Sequence, residues 1–133
     1  MDIKNIKFKA KRLDNNTWVE GYFYAECGNT YIIEDRQSES MLNRNEAHQV
    51  DPSTVCQFTG LKDCEGNEIW EGDILQVADY YYIKYVVIFG EGTFLARKEG
   101  HYTSIPLHEC IGDSGNVTYA KVVGNKFDRR SSV

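Results

Sequence analysis

The stretch from Lys62 to Asp73 sets two tight turns three residues apart: Lys62-Asp63-Cys64-Glu65-Gly66-Asn67, then Glu71-Gly72-Asp73, with only Glu68-Ile69-Trp70 between them. Three residues cannot make a helix, whereas they can make a short strand. Gly66 or Asn67 supplies the positive φ of the first turn, and Gly72 permits the second bend. Asp73 is placed to accept from the N–H groups that this bend frees, while Ile69, Trp70 and Ile74 read as core. A chain that must reverse twice within twelve residues is committed to short antiparallel strands.

The flanking sequence agrees. Ile6, Phe8 and Ala10 alternate with Lys7, Lys9 and Lys11, the period of a strand with one packed and one wet face, so the lysines read as a solvated row. Asp14-Asn15-Asn16 marks a turn into a second strand over residues 17–25, on which Trp18, Tyr22 and Tyr24 share a side. Gly28-Asn29 marks the next turn, and residues 30–33 complete a meander. Residues 34–49 are mostly polar and predict a loop or one short helix. Asp51-Pro52 opens a new ordered stretch, followed by strands over 54–58, 74–77, 82–89 and 94–98. The run Val86-Val87-Ile88-Phe89 predicts a strand buried on both faces. Residues 104–112 suit one short helical turn after Pro106, residues 117–123 a last strand, and residues 129–133 a flexible tail. About eight short strands at this spacing predict a small barrel or roll with little helix. The expected organisation is a single domain over 1–133: a meander and polar loop at 1–50, a barrel core at 51–128, and the tail.

Composition narrows the functional classes. A chain that is 41% hydrophobic and 26% charged is an ordinary globular one, and nine Tyr, six Phe and two Trp favour strands. The formal net charge of -5 gives no general attraction to a polyphosphate, which disfavours nucleic acid as a partner without removing it. Cys27, Cys56, Cys64 and Cys110 form no C-x-x-C pair and read as reduced thiols. No apolar run has signal-peptide or membrane-spanning length, so a cytoplasmic protein without a membrane partner is expected.

Gln57-Phe58-Thr59-Gly60-Leu61-Lys62-Asp63, followed by Glu65-Gly66-Asn67-Glu68-Ile69-Trp70-Glu71-Gly72-Asp73-Ile74-Leu75, resembles the hallmark segment of the YopX family. Phe8-Lys9-Ala10-Lys11-Arg12, Trp18-Val19-Glu20-Gly21-Tyr22 and Val123-Gly124-Asn125-Lys126-Phe127 are similar to its terminal patterns, so the resemblance spans nearly the whole chain. Cys64 stands where the family commonly has Lys, and Cys56 where it often has Gly. The resemblance implies a β-rich, SH3-type barrel or roll and an origin in phages, prophages or other mobile elements.

Candidate chemistry is sparse. Asp63, Glu65, Glu68, Glu71 and Asp73 offer oxygen ligands but lack calcium-loop spacing, and turn aspartates commonly bond to backbone. His101 and His108-Glu109-Cys110 offer too few ligands for a structural zinc site. No phosphate loop, G-x-S-x-G elbow or H-E-x-x-H is present. The sequence therefore predicts no catalytic residue, no metal and no cofactor. Gln57, Thr59, Gly60, Leu61, Asp63, Gly66, Ile69, Trp70, Glu71, Gly72 and Asp73 are read as a segment that specifies the fold. Function is expected to be binding, to a protein partner or to copies of itself. The candidate surface is Tyr80, Tyr81 and Tyr82, of which at least one must be exposed, or Lys7, Lys9 and Lys11. The alternative is a nucleic-acid-binding barrel that uses the basic strand and its aromatics.

Overall fold

The structure, a computed structural model, describes residues 5–34, 46–77, 80–101, 103–110, 117 and 120–128, with backbone only for Tyr80, Tyr81, Tyr82 and Cys110. The chain gathers into two compact units, Met1–Phe58 and Thr59–Val133. The expected tail at 129–133 lies outside the described residues.

In the first unit β1 (Phe8–Lys11), β2 (Trp18–Glu26) and β3 (Asn29–Ile33) form the expected meander. Two further strands extend it: β4 (Ala47–Val50) on the β3 side and the start of β5 (Cys56–Lys62) on the β1 side. All of these pairings are antiparallel. Positive φ occurs at Asn16 (60°), Cys27 (52°) and Gly28 (80°); Asn and Gly adopt it readily, whereas Cys27 takes it against its own Cβ. Ala10, Val19, Ile32 and Val50 make the core, with Phe8 and Val55 packed on it. Thr54, in a short 3-10 turn (Pro52–Thr54) capped by Asp51, accepts from the Lys11 N–H and so ties β1 to the chain that enters β5.

β4 corrects the expectation of a loop or helix at the end of the stretch 34–49; residues 35–45 of that stretch lie outside the described residues. One edge of β4 pairs along its length with β3. Among the described residues the other is met only by residues 11–13, through an Arg12–Val50 bridge and the Leu13 N–H donating to the Gln49 carbonyl at 3.0 Å. Ala47 and Gln49 are exposed, and Val50 alone of the four residues is fully buried. An edge strand this short and this polar carries too few apolar positions for periodicity to reveal it. The lysine row also differs from its expected solvated state: Lys7, Lys9 and Lys11 are half-buried.

In the second unit the end of β5 neighbours β6 (Glu68–Trp70), and a five-stranded antiparallel sheet follows. Its order is β10 (Ser104–Pro106), β9 (Thr93–Lys98), β8 (Tyr80–Gly90), β7 (Asp73–Val77), β11 (Ala120–Asn125). A 3-10 turn over Leu107–Cys110 occupies the place expected of a short helical turn after Pro106. The core is Ile69, Leu75, Val87, Ala96, Leu107, Val117 and Ala120. β8 is not buried on both faces: Val87 is fully buried, but Val86 and Ile88 are half-buried and Phe89 is 53% exposed. Phe89 sits at the hairpin end, where it meets Phe94 edge-on at 5.2 Å, and an end position has no strand above it to cover the ring. The protein is thus mainly β, without an α-helix among the described residues. Their pairings make two open antiparallel sheets rather than a closed barrel.

Gly21 shows how closely the first unit is packed: a Cβ there would lie 1.9 Å from the Ile33 carbonyl oxygen. Because that neighbour is backbone, β3 itself would have to move. We expect Gly21→Val to destabilise the chain by about 1–3 kcal/mol, measured as a lower urea midpoint; an unchanged midpoint would show that β2 and β3 do not meet this tightly.

Candidate functional site

The hallmark segment builds its geometry on two buried acids. Asp63 is 0% exposed. One carboxylate oxygen accepts from the Glu65 and Asn67 N–H groups at 2.9 and 2.8 Å, closing the turn that Gly66, at φ 85°, permits. The other accepts from the Val122 N–H at 2.8 Å and the Asn67 side-chain amide at 3.3 Å. Val122 lies on β11, so a turn residue holds the last strand. Burial pushes the Asp63 carboxyl up, but the N–H groups of Val122, Asn67 and Glu65 outweigh it and hold the group below the usual carboxylate range.

Asp73 repeats the device one turn later. It accepts from the Trp70 N–H at 2.7 Å and from the Asn125 side-chain amide at 3.0 Å, and Asn125 in turn accepts from the Phe127 N–H at 2.9 Å. Gly72 donates to the Val87 carbonyl at 2.7 Å and its own carbonyl accepts from the Lys126 N–H at 2.9 Å. At φ 87° Gly72 suits the bend, and a Cβ there would meet the Asn125 amide at 3.3 Å. These bonds fix Ile69 and Trp70 in buried positions beside Ile74 and Leu75.

The rest of the segment serves the same end. The Thr59 hydroxyl donates to the Ile69 carbonyl at 2.7 Å and accepts from the Leu61 N–H at 3.1 Å, while Gly60 bends the strand between them at φ 83°. Leu61 packs on the second core, Gln57 pairs with Phe8 across β1 and β5, and Glu71 is half-buried at the second turn.

The five acids of this region therefore do not converge. Asp63 and Asp73 face N–H donors, whereas Glu65 is exposed and Glu68 and Glu71 are half-buried. His101, His108 and Glu109 are exposed, Cys27 and Cys64 are exposed thiols outside any disulfide, and the buried Cys56 thiol donates to the Thr54 carbonyl at 3.2 Å.

Of the two candidate surfaces, Tyr80, Tyr81 and Tyr82 open β8, and their side chains lie outside the described residues. The lysine row is fully placed. Lys9 pairs with Glu20 and Lys11 with Trp18, so both lie on the β2 face that carries Trp18, Tyr22 and Tyr24. The Lys9 and Lys11 ammonium groups stand 4.8 and 5.4 Å from the Trp18 ring centre, and Lys7 stands 4.7 Å from that of Phe58. Tyr24 stacks on Tyr31 at 5.0 Å. Sequence reasoning missed Tyr31 and the lysine–ring contacts, because both depend on register between strands.

The sign of the Asp63 effect follows from its lowered pKa. Its stabilisation is complete above the ordinary carboxylate value of 3.8 and is lost as pH falls through the lower folded value. We expect Asp63→Asn to cost about 1–3 kcal/mol near neutrality, since an amide cannot replace every acceptor position. Urea unfolding followed from pH 7 to pH 2 should show a shallower acid loss for the variant than for the wild type. Parallel curves would mean that Asp63 is not held by these donors.

No match to the chain was found among curated proteins. The family model for YopX protein matches residues 7–129, which take in the lysine strand, the whole hallmark segment and the β11 residues that its two acids hold. On that match over nearly its full length, the chain belongs to the YopX family.

Proposed function

We propose that this chain is a non-catalytic binding module of phage or prophage type, acting in the cytoplasm on a protein partner or on copies of itself. The carrying observation is that β2 presents an exposed aromatic on each of its faces, Tyr22 at 40% and Phe23 at 45%. Neighbouring strand residues point to opposite sides, so both faces offer ring surface to a partner. Aromatic side chains left partly wet beside polar neighbours are what protein interfaces bury. β10, at the end of its sheet order, adds a strand edge to which another chain can pair. The acids that looked best for chemistry, Asp63 and Asp73, are engaged with N–H groups, which supports binding over catalysis.

An SH3-type roll remains our reading of the second unit. What supports it is a four-strand meander, β7 to β10, whose following strand β11 returns beside β7 after a 3-10 turn.

One observation favours a second reading, single-stranded nucleic acid: Lys9 and Lys11 share a face with Trp18, Tyr22 and Tyr24, and bases stack on such rings while cations track phosphates. The net charge of -5 weighs against it.

A photo-crosslinking residue placed at Tyr22 or Phe23, and in a second series at Tyr80, Tyr81 or Tyr82, separates the readings in cells. We expect adducts to one defined protein, or to a second copy of the chain, that survive nuclease. Nuclease-sensitive adducts would move the function to nucleic acid. In that case affinity for labelled single strands should fall about a thousandfold between 50 and 200 mM salt if six or more phosphates are contacted. Adducts from neither series, with binding intact elsewhere, would remove both surfaces.

A further inference from the structure

Glu34 follows β3, Glu46 precedes β4, and the Glu34 N–H donates to the Glu46 carbonyl at 3.0 Å, which continues the ladder by one step beyond Ile33 and Ala47. The two glutamates are therefore opposite each other, and period two brings His48, which pairs with Ile32, to the same face. Carboxylates directly opposite on neighbouring strands repel.

His48 makes this more than an acidic cluster. Its side chain is 11% exposed, and its Nε2 is buried without a hydrogen-bond partner. That atom points into the pair, 3.4 Å from a Glu34 carboxylate oxygen and 3.7 Å from a Glu46 one. Both distances exceed those of a charge-assisted N–H···O bond, about 2.7–2.9 Å. They fit the edge of a coordination tetrahedron: ligands about 2.1 Å from zinc are about 3.4 Å apart. All three donor atoms lie within 4.8 Å of one another.

We propose that Glu34, Glu46 and His48 bind one divalent transition-metal cation of the zinc class, through one imidazole nitrogen and two carboxylate oxygens. The cation gives the buried His48 Nε2 a partner and clips the end of β3 to the start of β4. An imidazole in the donor set selects a borderline metal over magnesium or calcium, which prefer oxygen alone. Three protein ligands leave a fourth position for water.

The test is a titration of the full chain, dialysed against chelator, with zinc chloride in competition with a chromophoric chelator. The wild type should bind one equivalent, magnesium at the same concentration should not displace it, and the melting temperature should rise with the metal. His48→Gln and Glu34→Gln should each weaken binding at least tenfold. His101→Gln, with the thiols alkylated, should leave it unchanged and so excludes adventitious ligands. Circular dichroism checks that the variants fold. Should His48→Gln fail this, Glu34→Gln with Glu46→Gln at the wetter positions gives the same reading. Absence of stoichiometric binding by the wild type would overturn the site, since the cluster would then be an ion pair only. So would equal affinity in the ligand variants.

Discussion

The Asp63 carboxylate, withdrawn from water, is surrounded by N–H groups from its own turn and from β11, and the second unit depends on that arrangement. A buried carboxylate without partners is strongly unfavourable, so the turn and the last strand must both be in place before Asp63 is tolerated. Backbone bonds run along the same path, with Cys64 donating to the Ala120 carbonyl and Val117 to that of Lys62. Asp73 with Asn125 makes a parallel tie farther along β11, past the register shift between Val122 and Gly124. Two acids of one segment thus hold a strand more than fifty residues away in the chain. A conspicuous acidic motif consequently belongs to the architecture.

That division of labour orders the rest of the molecule. The second unit spends its motif residues on turns and core. The first presents rings and cations: aromatics on both faces of β2, and lysines whose ammonium groups lie over Trp18 and Phe58. Lysines held over rings have less freedom than lysines that sweep through water. Glu34, Glu46 and His48 lie on the other face of β3 and β4 from Tyr31 and Gln49, so a metal clip there would stiffen the sheet without occupying the face that carries Trp18, Tyr22 and Tyr24.

How much of this was legible in the sequence depends on how local the cause is. Turns at 14–16, 63–67 and 90–92 were readable because Asn and Gly announce them, and β1, β7 and β9 because their apolar positions are strong. β4 was hidden because an edge strand of four residues holds a single fully buried one. β8 was misjudged because a run of apolar residues does not say which end of the strand projects beyond its cover. At the site, Asp73 as a cap was visible within its own turn, whereas Val122 and Asn125 as partners were not, since no periodicity relates residues so far apart. The Glu34–Glu46–His48 cluster was invisible for the same reason: it exists only once β3 and β4 are paired in register.

The most direct test of the central claim is a carbon-detected NMR titration of the Asp63 carboxyl, with the Val122 amide followed in the same samples. The midpoint should fall below the ordinary value of 3.8, with the Val122 amide moving at that same midpoint as its acceptor is protonated. A midpoint at or above that ordinary value, with a Val122 amide that ignores it, would contradict the claim that one buried carboxylate holds the last strand.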